Sequence, residues 1–180
     1  MNTPLLSPGQ IARVSEMVAR FISDQRARYF PEASPLSAEQ TGAMAGFFSA
    51  DALAKTRILE LKGEEVITPP FYPTLMSLGF TNLPELSRMD SITFFDTIVL
   101  HAKLTDDVFF HELVHVEQFR QLGLQKFADL YVRGFLDGGG YDGIPLEQNA
   151  YLLGARYEEN PARQFSVAEV VADWISAGRF

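Results

Sequence analysis

Apolar positions recur at three- and four-residue steps over several stretches of the chain and alternate only briefly, so helices should outnumber strands. Ile11, Val14, Val18, Phe21 and Ile22 follow Ser7-Pro8 at helical spacing. Roughly residues 8–29 therefore read as an amphipathic helix capped by Ser7, with Pro8 in its first turn. Pro31 and Pro35 break the chain before Ser37-Ala38-Glu39-Gln40, a capping box that opens a second helix toward Phe48. After a short turn, "TRILELKG" alternates weakly and reads as a strand ended by Gly63. Pro69, Pro70, Pro73, Gly79 and Pro84 then make residues 68–84 a surface loop with short turns.

The second half carries stronger signals. "SITFFDTIVLHAKL" is rich in β-branched and aromatic residues and predicts one long or two short strands from Ser91 to about Ala102. Thr105-Asp106-Asp107 supplies a cap and first-turn carboxylates for a helix that runs to about Leu122, with Gly123 suited to its C-terminal end. Leu124, Phe127, Leu130, Tyr131 and Phe135 mark another helix, which stops before Gly138-Gly139-Gly140. Pro145 opens a further helix to about Glu159, Pro161 ends it, and Ser166-Val167-Ala168-Glu169 is a capping box for a terminal helix. The expected class is α+β, mainly helical, with a small sheet preceding one central helix. Its 180 residues, 47% of them hydrophobic, suit a single domain: residues 1–60 supply N-terminal helices and residues 89–160 the part that carries the candidate chemistry.

Composition narrows the function classes. A net charge of −8 argues against nucleic-acid binding, which draws on clustered Lys and Arg. Arg13, Arg20, Arg26 and Arg28 on the first helix are interrupted by Glu16 and Asp24 and read as a solvated face. With no cysteine there is no thiol nucleophile or thiolate ligand, so any metal must be held by His, carboxylate or carbonyl groups. The N-terminus lacks a charged segment followed by an apolar run, and no stretch reaches membrane-spanning length, so a cytoplasmic location with no membrane partner is expected.

The chemistry concentrates in "VFFHELVHVEQF". His111 and His115 are four residues apart, so on a helix they point the same way from adjacent turns and can lean toward one tetrahedral ion. Glu112 projects beside them, within reach of a metal-bound water without ligating the metal; this is the HExxH pattern. Two hydrogen-bonded core histidines are the plainer reading of the same spacing. Gln118 and Gln121 stand where metzincins carry glycine and a third histidine, which excludes that class. His101, at the end of the preceding strand, is one candidate for the third ligand. Glu147 is the better one: it opens a helix that can return antiparallel, on the face of Ala150, Tyr151 and Gly154, whose small residues would permit close helix approach. Its plainer role is to complement the helix dipole.

"HELVH" at 111–115 with "IPLEQNA" at 144–150 resembles the gluzincin arrangement of zinc metallopeptidases, and residues 89–157 are similar to small bacterial HExxH domains of unassigned function regarded as metallopeptidases. The resemblance implies a minimal zincin-like domain in which His111, His115 and Glu147 bind Zn2+ and Glu112 is the catalytic base. It further implies a peptide or protein substrate that could pair with the strand before the helix. Thermolysin-like gluzincins have an aspartate one turn after the ligand glutamate to orient a ligand histidine, whereas this chain has Tyr151. Asp129, Asp142 or a backbone carbonyl would have to serve instead. Tyr141, Tyr151, Tyr157 and Arg156 are candidates to stabilise an oxyanion. The competing expectations are a non-catalytic, zinc-stabilised binding module with a vestigial HExxH site, and a metal-free structural domain.

Overall fold

Serine caps set the helix starts. In the computed structural model, which describes residues 4–180, α1 (Pro8–Tyr29) and α2 (Ala38–Met44) each begin with a complete capping box, Ser7 with Gln10 and Ser37 with Gln40. α3 (Ala50–Lys55) is capped by Ser49, and α4 (Tyr72–Ser77) forms inside the proline-rich stretch. α5 (Asp106–Asp137), α6 (Pro145–Glu159) and α7 (Val167–Ser176) complete the helices. The architecture is α+β, mostly helical, with a four-stranded mixed sheet that precedes α5.

The sheet contains β1 (Ser34–Pro35), β2 (Arg57–Glu60), β3 (Ser91–Phe94) and β4 (Thr97–Leu100), in the order β1-β2-β4-β3. β4 is parallel to β2 and antiparallel to β3, with Thr93 opposite Ile98 and Ile92 opposite Val99. Because side chains alternate along a strand, the two faces feed two cores. Phe94 and Val99 join Phe21 and Ile22 of α1, whereas Ile98 and Leu100 join Phe109, Phe110 and Leu113 of α5. β3 lies at a sheet edge beside α5. The β3–β4 turn holds Phe95 at φ 65° and is tied to α1 by Arg26, which donates two hydrogen bonds of 2.6 and 2.7 Å to Asp96. Arg26 thus fastens α1 to the sheet instead of serving only as part of a solvated face.

Three local expectations need correction. The second helix ends at Met44 and not near Phe48; beyond it Gly46 lies against the Gln164 side chain, which an added Cβ would displace, and Phe47 accepts a hydrogen bond from the backbone of Val167. The short turn after it is the helix α3. Thr105 occupies the cap position of α5 without a side-chain bond to the helix backbone.

α5 keeps helical backbone angles except at Gly123, where φ 73° and ψ 161° place the backbone in a region open essentially to glycine alone. The break between the helix to Leu122 and the one from Leu124 is therefore physical, and it redirects the second half of α5. Close packing of α5 on α6 is achieved at Gly134, where an added Cβ would lie 2.5 Å from Pro145 Cδ. Gly154 faces open space and so takes no part in the close approach that its spacing suggested, whereas Ala150 is fully buried among Leu113, Val114 and Val116 of α5.

Candidate metal centre

The first half of α5 is buried on almost every side. Phe109, Phe110 and the whole run from Glu112 to Phe119 are inaccessible, which marks a central helix. A helix in that setting can carry polar side chains only if each finds a partner. His111, Glu112, His115 and Gln118 all do.

His111 and His115 turn their Nε2 atoms toward one another at 3.0 Å, and the first turn of α6 brings Glu147 Oε2 to 3.4 Å from His111 Nε2 and 3.2 Å from His115 Nε2. Glu147 and His115 are only 4% and 6% exposed. Three atoms with lone pairs converging in a buried pocket need a cation or a proton between them, and these three side chains could hold a metal ion. Pro145 at the start of α6 sets this up: it fixes where the helix begins, and the third residue of the first turn is Glu147. The carboxylate sits at the positive end of its helix as well, so the dipole reading and the ligand reading are compatible.

The partner that orients His115 is Gln118, one turn along the same helix. Its Nε2 donates to Leu146 O at 2.9 Å and to Asn149 Oδ1 at 3.0 Å, which turns its Oε1 to His115 Nδ1 at 2.8 Å. His115 Nδ1 must then carry the hydrogen, leaving Nε2 to face the shared point. Asp129 and Asp142 have other engagements: Asp129 binds Arg133 and Ser15, and Asp142 contributes its backbone carbonyl to Gln148. Replacing Gln118 with leucine should weaken metal affinity about 10- to 100-fold while the helix remains folded, measured by competition with a chelating dye. Unchanged affinity would remove Gln118 from the site.

Glu112 is held by the edge strand. Ser91 and Thr93 lie two residues apart on β3 and so present their hydroxyls on one face; they donate to the two carboxylate oxygens at 2.7 and 2.5 Å. The phenols of Tyr131 and Tyr141 stand close to Glu147. Burial, reinforced by the Glu147 charge, raises both phenol pKa values, so both remain donors. Tyr151 is largely exposed, with its ring 4.5 Å from that of His111.

Burial alone would lower the His115 pKa and is the largest single influence. The charge of Glu147, its hydrogen bond, the Glu112 charge and the Gln118 acceptor together outweigh it and push the imidazole up to about 9. For Glu147 burial would raise the value, but the His115 charge and the hydrogen bonds from His111 and His115 hold the carboxyl well below the usual range.

Among the remaining candidates, His101 is not at the site. Its Nδ1 meets Met89 O at 2.8 Å and its Nε2 accepts from Val66 N at 3.1 Å, so it clasps two loops. Tyr157 stacks on Phe110 at 4.5 Å in the second core, and Arg156 lies 3.8 Å above the Phe165 ring, so neither is placed to meet an oxyanion. Ser91, Thr93, Gln118 and Tyr131 are the contributors that the sequence reading missed. A pair of hydroxyls at i, i+2 in an otherwise apolar strand and a glutamine at i+3 from a candidate ligand histidine were the available signals.

An open cleft of about 560 Å³ exposes one side of this group, reaching His111, Glu112, Tyr141 and Tyr151. Comparison of the chain with protein-family models, curated proteins and solved structures finds no match.

Proposed function

We propose that the chain is a zinc-dependent hydrolase of amide bonds, most simply a peptidase of gluzincin type. The observation that carries this reading is the convergence of His111, His115 and Glu147 on one buried point, with Glu112 anchored alongside by Ser91 and Thr93 at the head of an open cleft. Two imidazoles and one carboxylate suit zinc, and three protein ligands leave a coordination position free, as catalytic sites require. When bound, zinc supplies Lewis-acid chemistry and brings the pKa of water to about 7.

The residues of the chain divide the remaining work. Glu112 takes the proton from the attacking water and delivers it to the leaving amine; its two hydroxyl partners fix the carboxylate in one orientation and prevent it from swinging onto the ligands. Gln118 holds the His115 tautomer. Tyr141 lines the cleft as a protonated phenol and is the donor best placed to meet a developing oxyanion. Small size and the absent aspartate partner at Tyr151 favour a non-catalytic zinc module, and Gln118 weakens the second ground by orienting His115 from α5.

Purified protein should contain about one zinc per chain, and casein hydrolysis should be abolished by a chelator and restored by zinc. Failure to retain any divalent metal after zinc loading would end the proposal. Iron in place of zinc would replace it, since two histidines and a carboxylate also form iron sites.

Zinc must displace the proton that His115 holds at neutral pH. Its apparent affinity should therefore rise up to about tenfold per pH unit, levelling near pH 9, as followed by dye competition. Without metal, the raised His115 stabilises the fold fully below its ordinary value of 6.5 and loses that contribution as pH climbs through about 9. Glu147 contributes above its ordinary 4.5 and loses its contribution as pH falls toward its depressed value.

A further inference from the structure

Behind the metal group, on the side of α1, lies a second cavity of about 170 Å³. It meets the open cleft at Met89, Ser91, Glu112 and Tyr141, which line both. Its polar groups are gathered at the candidate site, namely Glu112 with its partners Ser91 and Thr93, His115, Glu147 and the phenols of Tyr131 and Tyr141. The Tyr72 phenol elsewhere on the wall is spent on Pro84 O at 3.0 Å. The rest of the wall is aliphatic and aromatic.

The apolar wall is extended. Lining positions on α1 run from Val14 to Ile22, about 12 Å at the helical rise, and those on the second half of α5 run from Phe127 to Leu136, about 14 Å. A volume near 170 Å³ is comparable to one that accepts a benzene ring, but a ring would touch only part of a wall of that extent. An apolar space walled over about 12 to 14 Å, with its polar groups at one end, is complementary to an amphiphile whose cleavable group sits at its head. The cleft on the other side has the opposite character: Asp90, Asp107 and Glu158 line it, and among its lining residues there is no lysine or arginine. That side favours a neutral or cationic group over an anionic one.

We infer that the cavity binds the unbranched hydrocarbon chain of a fatty-acyl amide, with the amine portion, neutral or cationic, lying in the acidic cleft. The chemistry of this assignment rests on the hydrolase reading; the binding rests on the cavity alone. In the reaction the oxygen of water bonds to the acyl carbon, the carbon–nitrogen bond breaks, and the proton taken by Glu112 leaves on the amine, giving a fatty acid and a free amine with no change of oxidation state. Met89, unbranched and flexible, stands at the junction through which the chain would enter.

The test is a series of butanoyl, hexanoyl, octanoyl and decanoyl amides of lysinamide, with the phenylpropanoyl amide as the compact competitor. Binding is measured by calorimetry on zinc-loaded Glu112→Gln protein, and turnover of the same amides on the wild type. Affinity should rise about three- to fourfold per methylene until the cavity is full. The octanoyl amide should bind at least about tenfold more tightly than the phenylpropanoyl amide, whose ring touches only part of the wall. Val18→Trp, or Val132→Phe if the first does not fold, should flatten the chain-length dependence without changing zinc content.

Affinity that is flat across the series, or a phenylpropanoyl amide that outbinds the octanoyl one, overturns the assignment. The two readings separate cleanly. Chain-length-dependent binding with no wild-type turnover of any amide or of casein counts against the hydrolase and leaves the cavity assignment standing. Zinc-dependent casein cleavage with flat affinity does the reverse.

Discussion

Glu112→Gln should leave about one zinc bound per chain and reduce hydrolysis by about 10²- to 10⁴-fold, the range that a positioned general base contributes. The substitution keeps the volume and the oxygen that accepts from one of the two β3 hydroxyls, so the fold should persist. It removes the only charge at this position that can take a proton from water. The two measurements must be made on the same sample: metal content by atomic spectroscopy and chelator-sensitive cleavage of casein. Activity close to the wild type would reject the role of Glu112 even if zinc is present. Loss of zinc together with activity would mean that Glu112 belongs to the ligand set, contrary to the geometry, in which its oxygens are engaged by Ser91 and Thr93.

His115→Ala should have the larger effect on the metal itself. It deletes one of the three side chains that could hold the metal and the one that Gln118 orients, so zinc retained after desalting should fall below about a tenth of an equivalent, beyond the roughly 10- to 100-fold loss expected for Gln118→Leu. The metal-free protein should be destabilised too. Glu147 is buried and would keep only His111, at 3.4 Å, as a possible counter-charge, which sets the cost at up to about 3 kcal/mol. Thermal melting with and without zinc reads both effects. Zinc at a hundred times its dissociation constant should stabilise the wild type by about 2.7 kcal/mol and the variant by nothing measurable. A variant that still binds zinc stoichiometrically would show that the convergence of these three side chains is not a metal site.

The parts of this site that the sequence displays are those set within one helix or at one helix start. HExxH places two imidazoles on one face because helical geometry repeats every 3.6 residues, whatever surrounds the helix. Ser7, Ser37 and Pro145 mark helix starts because a cap or a missing N–H acts on the nearest turn alone. Gly123 likewise announced its break, since its backbone angles are closed to other residues. α2 overran and α3 was missed where tertiary contacts decided the outcome, at the approach of Gly46 to Gln164 and in the docking of Phe47 on α7.

Which groups serve the histidines and the glutamate was settled only in three dimensions. Glu147 reaches His115 across 32 positions of sequence because Gly134 lets α6 press against α5, and no local pattern reports that distance. Ser91 and Thr93 hold Glu112 because β3 lies beside α5 at the sheet edge, and Gln118 takes the place of the absent aspartate because its amide is fixed from α6. Residue spacing determined which side chains could share a helix face. The packing of separate elements determined which of them meet, because burial forces each polar group to find a partner wherever the fold brings one within reach.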